Sequence, residues 1–292
     1  MKPSAPQVTV ILPAYNEEAS IAGNLEQLSR YLSEHFPSFE IIVVDDGSQD
    51  QTSARVTACC KSIPQNGSLV LVRTDKNEGK GNTVKRGVLQ SQGDFILFID
   101  ADLPYDLEAL ERMVTILSSG TPSEHSGCTC LESDHSRYIP GVVARNGIIR
   151  PEVVVGSRNL PGSELCERPP LLRSLSSKIF SLFVQLLIIR GITDTQCGIK
   201  GFQQAAAREI FQRITIPGFS FDVELLFIAK KLGYTIQPIP VRLNSFRSDS
   251  RIHVLRDSFH MLLDLFKIRL NDWQGKYDHQ DTPSRSRGTP EV

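Results

Sequence analysis

The chain has 292 residues, and its 32 Lys and Arg against 33 Asp and Glu give a formal charge of -1. With 40% hydrophobic and 22% charged residues it has the composition of an ordinary globular chain, which excludes collagen-like and wholly disordered classes. No global positive field exists to hold nucleic acid non-specifically. Its cysteines, Cys59, Cys60, Cys128, Cys130, Cys166 and Cys197, are too scattered for a disulfide framework and read as reduced thiols. Met1 to Pro6 lacks the basic start, apolar stretch and cleavage site of a secretory signal. The longest near-continuous apolar run, Ile179 to Ile189, falls short of the ~20 residues that span a bilayer. A cytoplasmic location without a transmembrane helix, with room for peripheral contact on the cytoplasmic membrane face, is the expectation.

In chain order, Val8 to Leu12 predicts a buried strand, Glu18 to Phe36 an amphipathic helix, and Phe39 to Val44 a second strand ending on Asp45-Asp46-Gly47-Ser48. Gln51 to Lys61 predicts a helix, Leu69 to Arg73 a strand, Gly81 to Gln92 a helix, and Phe95 to Ile99 a strand ending on Asp100-Ala101-Asp102. Continuous rather than alternating apolar strands, each followed by a helix, predict an α/β fold with a mostly parallel central sheet covered by helices on both faces. Ligands bind such sheets at the carboxyl ends of the strands, where the unusual polar residues fall. A helix at Leu107 to Leu117 precedes an irregular insertion at about 118–151; Val153 to Arg158 restores a strand. Helices are then expected at Leu171 to Ile189, Ala205 to Phe211 and Phe221 to Leu232, a strand at Thr235 to Val241, and a last helix at Val254 to Leu270. This makes one domain over residues 1–272, followed by a polar, disordered tail over 273–292.

Two carboxylates at a strand end, Asp100 and Asp102, suit a hard divalent cation that also holds phosphate oxygens. Asp-x-Asp alone reads more readily as a helix cap, since Asp at helix starts is common. A second acidic cluster at a neighbouring strand end, Asp45-Asp46, is hard to explain by capping twice. Asn77-Glu78-Gly79-Lys80-Gly81 follows a strand and opens a helix, so it could present backbone N–H groups and one ammonium to a nucleotide, or be a plain turn. Both the Walker spacing and Gly-x-Gly-x-x-Gly are absent, which argues against a P-loop ATPase and a dinucleotide enzyme.

Together these segments resemble the family 2 inverting glycosyltransferases over roughly Val8 to Leu270. Within that family Pro13-Ala14-Tyr15-Asn16-Glu17, Asp45-Asp46-Gly47-Ser48, Gly79-Lys80-Gly81, Asp100-Ala101-Asp102 and Gly156-Ser157-Arg158 are most similar to polyprenyl-phosphate sugar transferases. Asp194 to Phe202 and Phe221 to Leu226 look like the dolichyl-phosphate glucosyltransferase branch rather than the mannosyl branch. The resemblance implies a nucleotide-diphospho-sugar transferase fold of the Rossmann-like GT-A type. It further implies a UDP-sugar donor, a polyprenyl or dolichyl phosphate acceptor, and Mg²⁺ or Mn²⁺ on Asp100 and Asp102. Pro13, Tyr15, Glu17 and Asp46 would line the nucleoside pocket, with Asp45 supporting that loop. Lys80 and Ala101 would border the sugar nucleotide, Arg158 would lie near its diphosphate and the acceptor phosphate, and Arg247 and Arg251 would lie in the loop that closes over the site. The catalytic roles then fall on Asp102, Arg158 and Arg251. Two positions depart from the pattern: Pro104 stands where mannosyl relatives place a glutamine, and Arg247 fits only with a small gap, whereas Arg251 matches directly.

An anionic phosphate acceptor needs no strong general base. A hydroxyl acceptor, soluble or on a glycan, would need one, and Asp194, Asp222 and Glu224 are the candidates; the default for Glu224 is a buried carboxylate paired with Arg or Lys. A catalytically silent nucleotide-sugar-binding protein is the alternative outside enzymes. Leu171 to Ile192 and Val254 to Leu270 combine apolar faces with basic residues, a pattern that fits helices in a membrane interface and also core packing. His125, His135, Cys128 and Cys130 lack the usual zinc spacing and read as part of a surface loop or acceptor lid.

Overall fold

The computed structural model describes residues 7–122, 148–166, 180–189, 191–192, 194–244 and 254–278. In chain order its elements are β1 (Val8–Ala14), α1 (Ile21–His35), β2 (Phe39–Asp45), α2 (Thr52–Cys59) running into a 3₁₀ turn at Cys60–Ser62, β3 (Gly67–Arg73), α3 (Lys80–Gln90), β4 (Phe95–Ile99) and α4 (Glu108–Ser119). The short strands β5 (Thr121–Pro122) and β6 (Ile148–Ile149) pair across the expected insertion, whose residues 123–147, with His125, Cys128, Cys130 and His135, lie outside the described residues. Then come β7 (Val153–Ser157), β8 (Glu164–Leu165), α5 (180–187), β9 (Ile199–Gln203), α6 (Gln204–Arg213), α7 (Phe221–Lys231), β10 (Ile236–Pro240), β11 (Arg242–Leu243) and α8 (Val254–Trp273).

Seven strands form the central sheet in the order β10-β7-β9-β4-β1-β2-β3. All neighbouring pairs are parallel except those made by β9, which runs antiparallel between β4 and β7. The eight elements from β1 to α4 follow the expected chain order, whereas β9, within the Asp194 to Phe202 segment, is a strand that the sequence pattern does not predict. Period-2 alternation splits the strands between two cores. Ile11, Ile42, Ile96, Phe98, Val155 and Phe202 pack towards α3, α6 and α7. Val10, Leu12, Ile41, Val43, Leu97 and Ile199 pack towards α1 and α4. Because both faces are covered, the strands need to be apolar throughout, which is why they read as continuous runs.

The carboxyl ends of β1, β2 and β4 meet at one edge. β2 and β4 flank β1, so their ends stand about 10 Å apart at the usual strand spacing. The start of α3 is pressed onto the segment before α7: Gly81 donates its backbone N–H to the Pro217 carbonyl at 2.7 Å. A Cβ at Gly81 would lie 2.4 Å from the Ile216 carbonyl oxygen, and one at Gly79, which has φ of +92°, would lie 2.5 Å from that of Pro217. The two glycines therefore permit backbone-to-backbone contact.

Replacing a helical glycine by alanine normally favours the helix by up to about 1 kcal/mol. At Gly81 the methyl group would be driven into a carbonyl, so Gly81→Ala is expected to lower the unfolding free energy by about 1–3 kcal/mol, measured by chemical denaturation. A gain in stability would show that this seam is loosely packed.

Candidate active site

The loops after β1 and β2 interlock. Asp45 is fully buried; its carboxylate accepts from the Ser48 N–H at 2.9 Å and from the Ser53 hydroxyl. The Asn16 N–H donates to Ser48 Oγ at 2.8 Å, and the Gln49 N–H to Asn16 Oδ1 at 2.8 Å. The Glu17 N–H donates to Thr52 Oγ1 at 2.7 Å. Asn16 has φ of +54° and Gly47 of +70°, the left-handed region that favours small or amide residues. Pro13 ends β1 beside Val44, and Tyr15 lies half-buried at its exit. Asp46 behaves differently from a free pocket carboxylate: its oxygens accept from the Glu78 and Gly79 N–H groups at 2.7 and 3.0 Å. It thus ties the 76–79 loop to the end of β2, and the expected nucleoside-lining residues surround a rigid platform.

The second cluster sits at the end of β4. The Asp100 N–H donates to the Gly198 carbonyl at 3.3 Å, and the Leu103 N–H closes a turn onto the Asp100 carbonyl at 3.0 Å. Leu103 has φ of +45°, an unfavourable value for a branched side chain, so the Asp100–Leu103 turn carries local strain. Ala101 is buried, and its carbonyl accepts from Asn24 Nδ2 at 2.8 Å. Lys80 reaches over from α3 and pairs with Asp100 at 2.6 Å. Burial alone would lower the Lys80 ammonium; Asp100, Asp222 and Asp102 outweigh it and hold the ammonium above its ordinary value.

Gly198 has a spatial reason to be glycine. A Cβ there would stand 2.1 Å from Asp100 Oδ2, so the missing side chain is the room in which that carboxylate lies. Two oxygen-donor carboxylates on one turn fit a hard divalent ion such as Mg²⁺ or Mn²⁺. Among the described residues no group of three or more His, Cys, Asp or Glu could hold a metal. Asp100 and Asp102 are the two residues of this turn that could hold such an ion together with phosphate oxygens and water.

Arg158, just past β7, is clamped by Asp194. Its Nε and one terminal nitrogen donate to the two carboxylate oxygens at 2.8 Å each, and its backbone N–H donates to Oδ2 at 2.9 Å. Burial would raise the Asp194 carboxyl, but the Arg158 hydrogen bonds and charge overcome that and hold it below the usual range. Next to this pair lie Cys197, whose thiol burial pushes up to about 11, and Tyr105, whose hydroxyl accepts from the Gly198 N–H at 3.2 Å. Burial holds the Tyr105 phenol well above its ordinary value.

Beneath the site, Lys200 in β9 is fully buried and pairs with Asp222 of α7 at 2.5 Å, while also donating to the Cys197 carbonyl at 2.7 Å. Burial pushes the Asp222 carboxyl above its ordinary value; Lys200 and Lys80 pull against that without cancelling it. Glu224 is buried as expected and interacts electrostatically with Lys85, but its hydrogen bonds come from neither Arg nor Lys. It accepts from the Thr215 and Ile216 N–H groups, the Thr215 hydroxyl at 2.6 Å and the Tyr277 hydroxyl at 2.6 Å. Arg247 and Arg251 lie outside the described residues. The described chain before them stops at Asn244, whose N–H donates to the Pro104 carbonyl at 2.8 Å, two residues beyond Asp102. Tyr105, Gly198 and Lys200 were not singled out from the sequence. For Lys200 the available signal was a lone lysine among Ile199, Gly201 and Phe202.

Residues 9–123 match the family model of glycosyl transferase family 2. The chain is 32% identical over 268 residues to the dolichyl-phosphate beta-glucosyltransferase of Dictyostelium discoideum, covering 90% of this chain and 73% of the relative. The chain belongs to glycosyl transferase family 2. The enzyme of the same description from Homo sapiens is 30% identical over 281 residues, with 94% of this chain and 79% of the relative covered. The fold is also that of solved glycosyltransferases. Glucosyl-3-phosphoglycerate synthase from Mycobacterium tuberculosis, crystallised with Mn²⁺, UDP-glucose and phosphoglyceric acid, superposes with a TM-score of 0.58 at 17% identity, covering 95% of this chain and 82% of that one. Mannosyl-3-phosphoglycerate synthase from Rubrobacter xylanophilus gives 0.54 at 18% identity, covering 98% and 79%. The GT-A-type fold and the activity class, glycosyl transfer, follow.

The Asp194 clamp makes a pH-dependent contribution to this glycosyltransferase. Its carboxyl is lowered in the folded state, so its stabilisation is present above the unfolded value of about 3.9 and is lost as pH falls through the folded value. Asp194→Asn should be less stable than wild type at neutral pH, with the gap closing as urea unfolding is followed into acid. A gap independent of pH would show that the carboxylate charge contributes nothing.

Proposed function

We propose that this glycosyltransferase moves a hexose, glucose by preference, from a UDP-sugar to a polyprenyl or dolichyl phosphate, giving a β-linked lipid-phosphate sugar. The observation that carries the reading is the state of the three carboxylates that a hydroxyl acceptor would call upon. Asp194 is held bidentately by Arg158, Asp222 is buried against Lys200, and Glu224 is enclosed by backbone N–H groups and hydroxyls. None is placed to take a proton from an incoming alcohol. A phosphate monoester arrives already ionised and needs no such base. The descriptions of the relatives, dolichyl-phosphate beta-glucosyltransferases, agree with it.

In this reading the nucleoside lies along Pro13, Tyr15, Glu17 and the Asp45-Asp46 platform, and the diphosphate crosses to the turn of Asp100, Ala101 and Asp102. Asp100 and Asp102 would hold Mg²⁺ or Mn²⁺, which supplies charge neutralisation for the leaving diphosphate. Lys80 and Arg158 present fixed cations to phosphate oxygens, Arg158 with its orientation set by Asp194. Arg247 and Arg251 lie outside the described residues; by the family resemblance they would add to this cationic set. An acceptor phosphate oxygen donates its electron pair to the anomeric carbon; the bond from that carbon to the diphosphate oxygen breaks, and that pair leaves with UDP. Attack opposite the leaving group inverts the α-linked donor to a β-linked product.

Transfer of radiolabelled sugar from UDP-glucose into organic-extractable lipid, with polyprenyl phosphate and Mg²⁺ or Mn²⁺, tests this directly. Wild type should produce metal-dependent lipid label, and Asp102→Ala should reduce it by roughly a hundredfold or more, the scale of losing one electrostatic stabiliser. Nucleotide binding without lipid label, from UDP-glucose or from any other UDP- or GDP-sugar put through the same assay, would sink the lipid acceptor.

A lipid substrate calls for contact with a bilayer, and the surface offers an apolar patch. On α8, Leu263, Phe266, Leu270 and Trp273 recur at helical spacing and are exposed, Trp273 at 87%. On α5, Leu182, Phe183 and Leu186 are exposed, and Arg269 of α8 donates to the Leu187 carbonyl at 2.5 Å. Exposed Lys267 and Arg269 accompany this face and suit anionic headgroups. No helix among the described residues is long and apolar enough to cross a membrane. Replacing both Phe266 and Trp273 by serine should weaken binding to phosphatidylcholine–phosphatidylserine vesicles by roughly tenfold or more, given what burying such side chains contributes. Unchanged co-sedimentation would assign the face to another role.

A further inference from the structure

The segment from Asp194 to Gly198 runs between the two charged centres of the site. At one end Asp194 grips Arg158, and at the other Gly198 backs Asp100 with its carbonyl and with its missing side chain. Thr195 and Cys197 are buried; Gln196, between them, is half-buried. Its Nε2 is enclosed and has no hydrogen-bond partner. A buried amide donor without an acceptor is costly, and native proteins retain few of them.

Among the described residues, the other enclosed polar atoms without partners are Gln7 Oε1, Arg86 Nε and Ser220 Oγ. Gln7 precedes β1, at the opposite end of the sheet from the site. Arg86 is already satisfied as an ion by Glu78 at 2.7 Å. Ser220, at the start of α7, has no exposed part at all, unlike the half-buried Gln196. Among the described residues, Gln196 alone combines an enclosed donor, partial exposure and a place between the arginine and the acidic turn.

We propose that the Gln196 side-chain amide donates a hydrogen bond to a hydroxyl of the transferred hexose and helps select the sugar; this rests on the glycosyltransferase reading but not on the lipid acceptor. The phosphates are provided with full cations in Lys80 and Arg158, which suit them better than a neutral amide. A sugar hydroxyl is neutral and can accept from Nε2 without bringing charge into the enclosure. Sites built to hydrogen-bond one hydroxyl reject analogues that lack it, because the protein group is then left unpaired.

The test is titration calorimetry of UDP, UDP-glucose and UDP-glucose deoxygenated singly at each sugar hydroxyl, with Mn²⁺, on wild type and Gln196→Met. UDP should bind both proteins within about twofold, while Gln196→Met should weaken UDP-glucose by roughly 3- to 10-fold, the scale of one neutral hydrogen bond. One deoxy donor should show the same loss on wild type and no further loss on the variant. Equal weakening of UDP and UDP-glucose would assign the amide to the nucleotide and overturn the proposal. So would a variant whose loss persists with every deoxy donor, or one that binds UDP-glucose like wild type. If Gln196→Met does not fold, Gln196→Leu is judged by the same pattern, and loss of UDP binding in both counts against the proposal. No acceptor takes part, so the outcome is separate from whether lipid label forms.

Discussion

The site depends on a lysine buried in the middle of a β-sheet. Lys200 has no exposed surface, and an ammonium removed from water is tolerable only if a counter-charge and hydrogen bonds replace the solvent. Asp222 provides the charge and the Cys197 carbonyl a further acceptor. Asp222 in turn acts electrostatically on Lys80, and Lys80 is bonded to Asp100. The result is an alternation of sign, from Lys200 through Asp222 and Lys80 to Asp100, that carries compensation from the sheet interior to the acidic turn. Removing one member would leave its neighbour uncompensated, which makes these four side chains a single electrostatic unit.

Around that unit the protein separates rigid supports from groups left to act. Asp45, Asp46 and Asp194 are carboxylates in or near the site, yet each is committed to holding protein: the Ser48 loop, the 76–79 loop and Arg158. Glu224 does the same for the turn at Thr215 and Ile216. Carboxylates so engaged hold their positions without adding reactive charge. Preorganisation of this kind places cations where phosphate charge develops, and it suits chemistry in which alignment matters more than proton removal.

Much of this was legible in the sequence, for identifiable reasons. β1, β2 and β4 are covered on both faces, so their continuous apolar runs stand out, and Asp45 and Asp100 mark where two of them stop. β9 did not stand out, because Lys200 and Gly201 interrupt its pattern; the strand makes sense only once Asp222, 22 residues further on, neutralises the lysine. The Arg158–Asp194 pair spans 36 residues and has no local signature. Gly79 and Gly81 suggested backbone N–H groups free for phosphate, whereas their local role is close approach to Ile216 and Pro217. Glu224 was readable as a structural carboxylate, but not its partners, since N–H groups and hydroxyls leave no charge pattern to find.

The placement of β9 also bears on how the chain emerges during synthesis. Strands β1 to β4 pair among themselves and need nothing beyond residue 99. The outer side of β4, however, pairs only with β9, which begins about a hundred residues later. Until the ribosome has delivered that stretch, the strand carrying Asp100 is an open edge, able to recruit any extended segment that reaches it. The carboxylate at its tip likewise waits for Gly198, Lys200 and Asp222. A half-made chain therefore exposes its most reactive margin for about a third of its translation, which is a reason to expect nascent-chain chaperones to engage it there.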